Sequence, residues 1–82
     1  MTKEEMKGIH SHTLRNRKEI EASETCACLS CCETFASSEV VEYIDHGETA
    51  LCPICGIDAV IGDCTGVSMD LNTLSELNKE FF

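Results

Sequence analysis

Cys26-Ala27-Cys28-Leu29-Ser30-Cys31-Cys32 and Cys52-Pro53-Ile54-Cys55-Gly56, with twenty residues between Cys31 and Cys52, are the stretches that decide how this chain folds. Each holds a Cys-x2-Cys pair. Two thiolates three residues apart on a tight turn can reach one ion at about 2.3 Å, with the backbone N–H groups of the turn donating to the sulfurs. Pro53 presets the second turn at its first central position, and Gly56 permits the positive φ that the chain needs on leaving it. Two such turns complete a tetrahedral thiolate cage, a donor set that suits zinc and, less often, iron. The expected ligands are Cys28, Cys31, Cys52 and Cys55, holding one ion per chain.

Other thiols and imidazoles compete for that role. The first cluster also allows a ligand set built on Cys26 or Cys32, but only Cys28/Cys31 mirrors the geometry of the second pair. Cys32 then points away from the ion and reads as a small buried hydrophobe. Cys26 and Cys64 read as spare thiols. His46 lies near the second turn, although a helix C-terminus favours such a cation without any metal. His10 and His12 read as solvated, and Asp58 and Asp63 as solvent-facing acids without a nucleophile beside them. A redox disulfide at Cys52 and Cys55 would need a surrounding βαβ unit that this chain cannot build.

Composition narrows the class. Seven cysteines in 82 residues exceed ordinary usage, while three Phe, one Tyr and no Trp leave little for a core. A core this small rarely supplies more than roughly 3–5 kcal/mol without a staple. The odd cysteine count, with no apolar export-type segment in MTKEEMKGIHSHTLRNRKEI, argues for a reducing compartment and a cytoplasmic protein. No apolar run is long enough to span a bilayer. The chain is also too short for a large enzyme with a deep pocket.

Charge divides the chain at residue 25. Residues 1–25 balance five bases against five acids, whereas residues 26–82 hold ten acids and Lys79 alone, for a net charge of −9. The expected organisation is a flexible or partly helical extension over 1–25 and a metal-stapled domain over 26–82. Within the domain, Ser37 reads as the N-cap of a helix carrying Val40, Val41 and Ile44 and ending at Gly47. Residues 48–51 and 57–61 read as the two strands of a hairpin. Asp70 reads as the N-cap of a second helix, with Leu71, Leu74, Leu77 and Phe81 along one face.

The pattern Cys26-x-Cys28-x2-Cys31-x3-Phe35, then TALCPICGIDAVIG over residues 49–62, then a leucine-bearing helix ending in two aromatics, resembles a family of small bacterial and phage proteins. These are described as zinc-ribbon-like cytoplasmic proteins. The likeness covers residues 26–82. It implies a metal-bound domain at Cys28, Cys31, Cys52 and Cys55, and no particular activity. The expected fold is a small α+β, zinc-ribbon-like domain, with two cysteine knuckles, a short β-hairpin and two covering helices.

Charge also bears on function. Binding a phosphate backbone calls for several Lys/Arg on one face. Four thiolates and one divalent ion would take residues 26–82 from −9 to about −11, which repels nucleic acid. The leading expectation is a non-enzymatic module whose acidic surface docks a basic protein partner. Two alternatives stand beside it. CPICG resembles the second turn of rubredoxins, which would make the protein an iron electron carrier; or the acidity serves solubility alone. Hydrolytic zinc chemistry needs an open coordination position, which four cysteines deny.

Overall fold

The computed structural model describes all residues, 1–82, as three helices and five short strands. The helices are α1 (Lys3–Ser11), α2 (Arg17–Glu21) and α3 (Leu71–Phe81). The strands are β1 (Thr25–Cys28), β2 (Thr34–Ala36), β3 (Tyr43–Ile44), β4 (Thr49–Ala50) and β5 (Val60–Gly62). The fold is small α+β, with antiparallel sheets and two Cys-x2-Cys turns, as the sequence leads one to expect. No helix is long and apolar enough to cross a membrane.

The strands pair differently from the expected hairpin. β1 is the centre of a three-stranded sheet ordered β2-β1-β5, with Cys26 opposite both Phe35 and Gly62. β4 pairs with β3 in a separate ribbon, Tyr43 opposite Ala50 and Ile44 opposite Thr49. Residues 48–51 and 57–61 therefore do not pair with each other. The first knuckle is the β1–β2 connection, and the second spans the gap from the ribbon to the sheet.

The helix expected from Ser37 is also corrected. Only a 3-10 turn forms, over Ser37–Glu39, and Val40 is already extended at φ −80° and ψ 109°. Beyond it Val40 is buried, while Val41 and Ile44, which a helix would place on the same face, are exposed. Consecutive β-branched residues favour that outcome. Asp45, His46 and Gly47 all take positive φ (55°, 60° and 85°) and turn the chain back into β4. Asp and His tolerate that region better than most residues, and Thr49 Oγ1 donates to Asp45 Oδ2 at 2.9 Å to hold the turn.

The charge break at residue 25 does not coincide with a break in packing. Met6 and Ile20 belong to the same buried cluster as Leu29, Ile61, Leu74 and Leu77. Asn16 is 1% exposed. Its Nδ2 donates to Val60 O at 2.7 Å and its Oδ1 accepts from Ala50 N at 3.0 Å, so one amide joins β5 to β4. On either side, Arg15 N donates to Thr49 Oγ1 and Arg17 N to Glu48 O, each at 3.0 Å. His10, expected to be solvated, stacks on Phe81 with ring centroids 4.2 Å apart. His12 Nδ1 lies 2.8 Å from Glu19 Oε2.

α3 begins as expected, with Asp70 Oδ1 accepting from Thr73 N at 2.8 Å. Leu74 and Leu77 are buried, whereas Leu71 in the first turn is 66% exposed and leaves the expected stripe. Of the terminal aromatics, Phe81 packs against the core and Phe82 is exposed.

α2 lies so close to β5 that Gly62 has no room for a side chain. A Cβ there would sit 2.2 Å from Ser23 Oγ and 2.9 Å from Ser23 Cβ. Ser23 Oγ donates to Glu19 O at 2.7 Å and accepts from Cys64 N at 3.1 Å, so displacing it breaks both bonds. Gly62→Ala is expected to cost about 1–3 kcal/mol, lowering the melting temperature in calorimetry by roughly 4–8 °C per kcal/mol. A Gly62→Ala/Ser23→Gly double variant melting no lower than Ser23→Gly alone would assign the loss to this contact; no loss at all in Gly62→Ala would refute the close approach.

Candidate metal centre

The two knuckles share one backbone plan. In the first, Cys28 N donates to Glu33 O at 3.0 Å and Cys32 N to Cys28 O at 2.9 Å. In the second, Cys52 N donates to Ile57 O and Gly56 N to Cys52 O, both at 3.0 Å. Each turn also aims N–H groups at its leading sulfur: Ser30 N lies 3.4 Å from Cys28 Sγ, and Ile54 N and Cys55 N lie 3.3 and 3.4 Å from Cys52 Sγ. Such donors stabilise thiolate sulfur and fix its direction.

These turns bring the four expected sulfurs together, all within 4.8 Å of one another. Cys28 Sγ and Cys55 Sγ are 3.6 Å apart, and Cys31 Sγ and Cys52 Sγ 3.8 Å. A tetrahedron whose corners stand about 2.3 Å from its centre has edges of roughly 3.8 Å. The crossed pairing, one sulfur from each knuckle, is what a shared ion between two turns requires.

The environment is uneven. Burial pushes the Cys28 thiol well above the ordinary thiol range, only partly offset by N–H groups of Cys31 and Ser30. Burial also raises Cys31. At Cys52 burial acts in the same direction, but the N–H groups of Cys55 and Ile54 and the neighbouring thiols outweigh it, and the net shift is downward. Cys55 is exposed. The site thus has a buried wall and a solvent-facing wall.

α3 supports the buried wall. Asn78 Nδ2 donates to Leu29 O at 2.9 Å and to Ser30 O at 2.8 Å, while Leu29 N donates to Ala59 O at 2.8 Å. Cys32 Sγ faces Leu74 O at 3.7 Å, away from the cluster. Its φ of 61° matches the 77° of Gly56 at the equivalent place in the other knuckle. Cys32 therefore stands where a glycine is the easier residue. Cys32→Gly is expected to keep metal content and to move the melting temperature by only a few degrees. Cys32→Val, β-branched at positive φ, is expected to cost about 1–3 kcal/mol. Equal melting temperatures for the two would refute the backbone argument.

The remaining candidates lie elsewhere. Cys26 is fully buried in β1, and burial first, then the charges of Asp63 and Cys64, pushes its thiol up to about 11. Cys64 Sγ contacts Glu19 O at 3.3 Å. His46 belongs to the β3–β4 turn, beside Arg15, Asp45 and Glu48. Asp58 is exposed, and Asp63 accepts from Glu24 N and Thr25 N, both at 3.2 Å. None of these joins the cluster. Asn16 and Asn78, which hold the frame around the site, were not singled out from the sequence; single amides in polar stretches carry no periodic signal.

Fold and site together define a small α+β protein with a four-cysteine metal site, consistent with a zinc ribbon. Comparison with known proteins returns no matching family model, no matching curated protein and no matching solved structure.

Proposed function

We propose that this is a non-enzymatic zinc protein whose metal is structural and whose acidic surface binds a basic protein partner. The observation that carries the reading is a closed four-sulfur cluster set in a body of uncompensated acid. Four protein ligands leave no position for a reacting water, which suits a staple and not a hydrolase. A donor set of sulfur alone, with edges near those of a tetrahedral thiolate site, fits zinc or iron, and zinc is the usual ion of closed structural four-cysteine sites. Residues 26–82 carry ten acids against Lys79, and the ion pairs that form number only three, at Met1–Glu76, His12–Glu19 and Arg17–Glu21. Most of the negative charge is thus left to act on approaching molecules, attracting cations and repelling phosphate backbones.

The test is a pair of anisotropy titrations of the zinc-loaded chain, one with a labelled lysine-rich peptide and one with labelled duplex DNA, at low and high salt. Saturable peptide binding that weakens with salt, with no DNA binding, is the expected result. DNA binding as tight as peptide binding would overturn the reading.

A further inference from the structure

Beside the second knuckle lies a groove of about 560 Å³, floored by Val41, Leu51, Pro53 and Ile54 and rimmed by Glu39 and Glu42. Cys55 forms part of the same wall. Val41 is 76% exposed and Ile54 57%, in a chain with few large apolar residues to spare. Neither rim carboxylate has a cation. Glu39 Oε2 accepts from Ala36 N at 2.8 Å, and its other oxygen and both oxygens of Glu42 are free. The groove is formed in advance, because Leu51 N donates to Glu42 O at 2.9 Å and ties one wall to the other.

We propose that this groove is the docking site for an extended basic segment of a partner protein, with an aliphatic side chain between lysines or arginines. The proposal rests on the binding-module reading above and gives that module its contact surface. The aliphatic side chain packs on Val41, Pro53 and Ile54, and the flanking cations meet Glu39 and Glu42. Charge selects this occupant. A second copy would bring together two acidic rims and two bodies of net charge −9, and anionic lipid or nucleic acid meets the same repulsion. A basic peptide with one apolar anchor answers both the floor and the rim. Because Cys55 lies in the wall, the docked segment covers the solvent-facing side of the metal and slows its loss.

The experiment uses the full zinc-loaded chain, labelled with ¹⁵N, and two peptides: Lys-Lys-Leu-Lys-Lys and its Lys-Lys-Ser-Lys-Lys control. The leucine peptide is expected to shift the amides of Val41, Leu51, Ile54 and Gly56 saturably and to slow zinc transfer to a chromogenic chelator. The serine control is expected to bind about tenfold more weakly, as is the leucine peptide to Val41→Ser/Ile54→Ser or to Glu39→Lys/Glu42→Lys. All four positions are exposed, so a native-like spectrum of each variant shows that the fold is intact. Equal binding of both peptides, with shifts scattered over the acidic surface, would overturn the groove and leave the module standing. No binding of either peptide would overturn both. Shifts of the same amides on raising protein concentration alone would put a second copy in the groove and overturn the proposal.

Discussion

Replacing Cys52 by serine is expected to remove the metal and, with it, the folded state of the whole chain. Structural zinc contributes about 10–16 kcal/mol of binding free energy, and in a small domain that energy is folding energy. Divided over four ligands, each thiolate carries about 2.5–4 kcal/mol, or roughly a hundredfold or more in affinity. Against this stand a core of 15 buried apolar residues and strands of only two to four residues. Such a framework has little stability to lose. Cys52 is the most costly thiol of its knuckle because two N–H groups converge on its sulfur. Cys55 is exposed, so Cys55→Ser leaves a position that water can reach, and weakened metal binding with partial fold is expected there. Native mass spectrometry and amide dispersion on the same samples check the order. One zinc per wild-type chain with four protons displaced is the expected mass, and bound iron with visible colour would instead favour an electron carrier. A Cys52→Ser chain with native dispersion and no metal would sink the staple argument. Acid acts in the same direction as the substitution: metal binding releases thiol protons, so affinity falls as pH falls.

Asn16→Ala is expected to be the most damaging change outside the cysteines. It leaves Val60 O and Ala50 N buried without partners, in residues that are fully shielded from water. An unsatisfied buried polar group costs about 1–3 kcal/mol. Two of them lower the melting temperature by about 10 °C or more in a domain of this size. The packing defect adds to that, since the amide bridges the ribbon to the sheet. Leu14→Ala is the control: it lies in the same segment but is exposed, so its effect is expected within about 0.5 kcal/mol. Deleting residues 1–22 is expected to act like Asn16→Ala or worse, because Ile20 is lost as well. Thermal scans of the metal-loaded proteins decide the matter. An Asn16→Ala protein melting with the wild type would show that the N-terminal segment is not part of the frame.

The cluster itself was legible because its chemistry is local. A Cys-x2-Cys turn sets its own geometry through Pro53, Gly56 and the N–H groups of the turn, and equal spacing in both pairs singles out Cys28 and Cys31 from Cys26 and Cys32. The C-terminal helix was legible for the same reason, through Asp70 at its start and Leu74 and Leu77 one turn apart. Ser37 to Gly47 misled because Val40, Val41 and Ile44 suit a helix face and a strand about equally, and only pairing of Tyr43 and Ile44 with Thr49 and Ala50 settles which forms.

The amino-acid sequence by itself thus determined the four sulfurs, the two turns that carry them, the helix at the C-terminal end and the acidity of the surface. Each follows from residues within a few positions of one another or from simple charge. Tertiary structure alone decided that β5 joins β1 and not β4, that Asn16 closes the gap between ribbon and sheet, and that Val41 and Ile54 line one groove beside the second knuckle. The first two outcomes depend on contacts between residues 32 to 44 positions apart, whose free energy comes from burial and from mutual satisfaction of backbone groups, and neither is written in any local pattern.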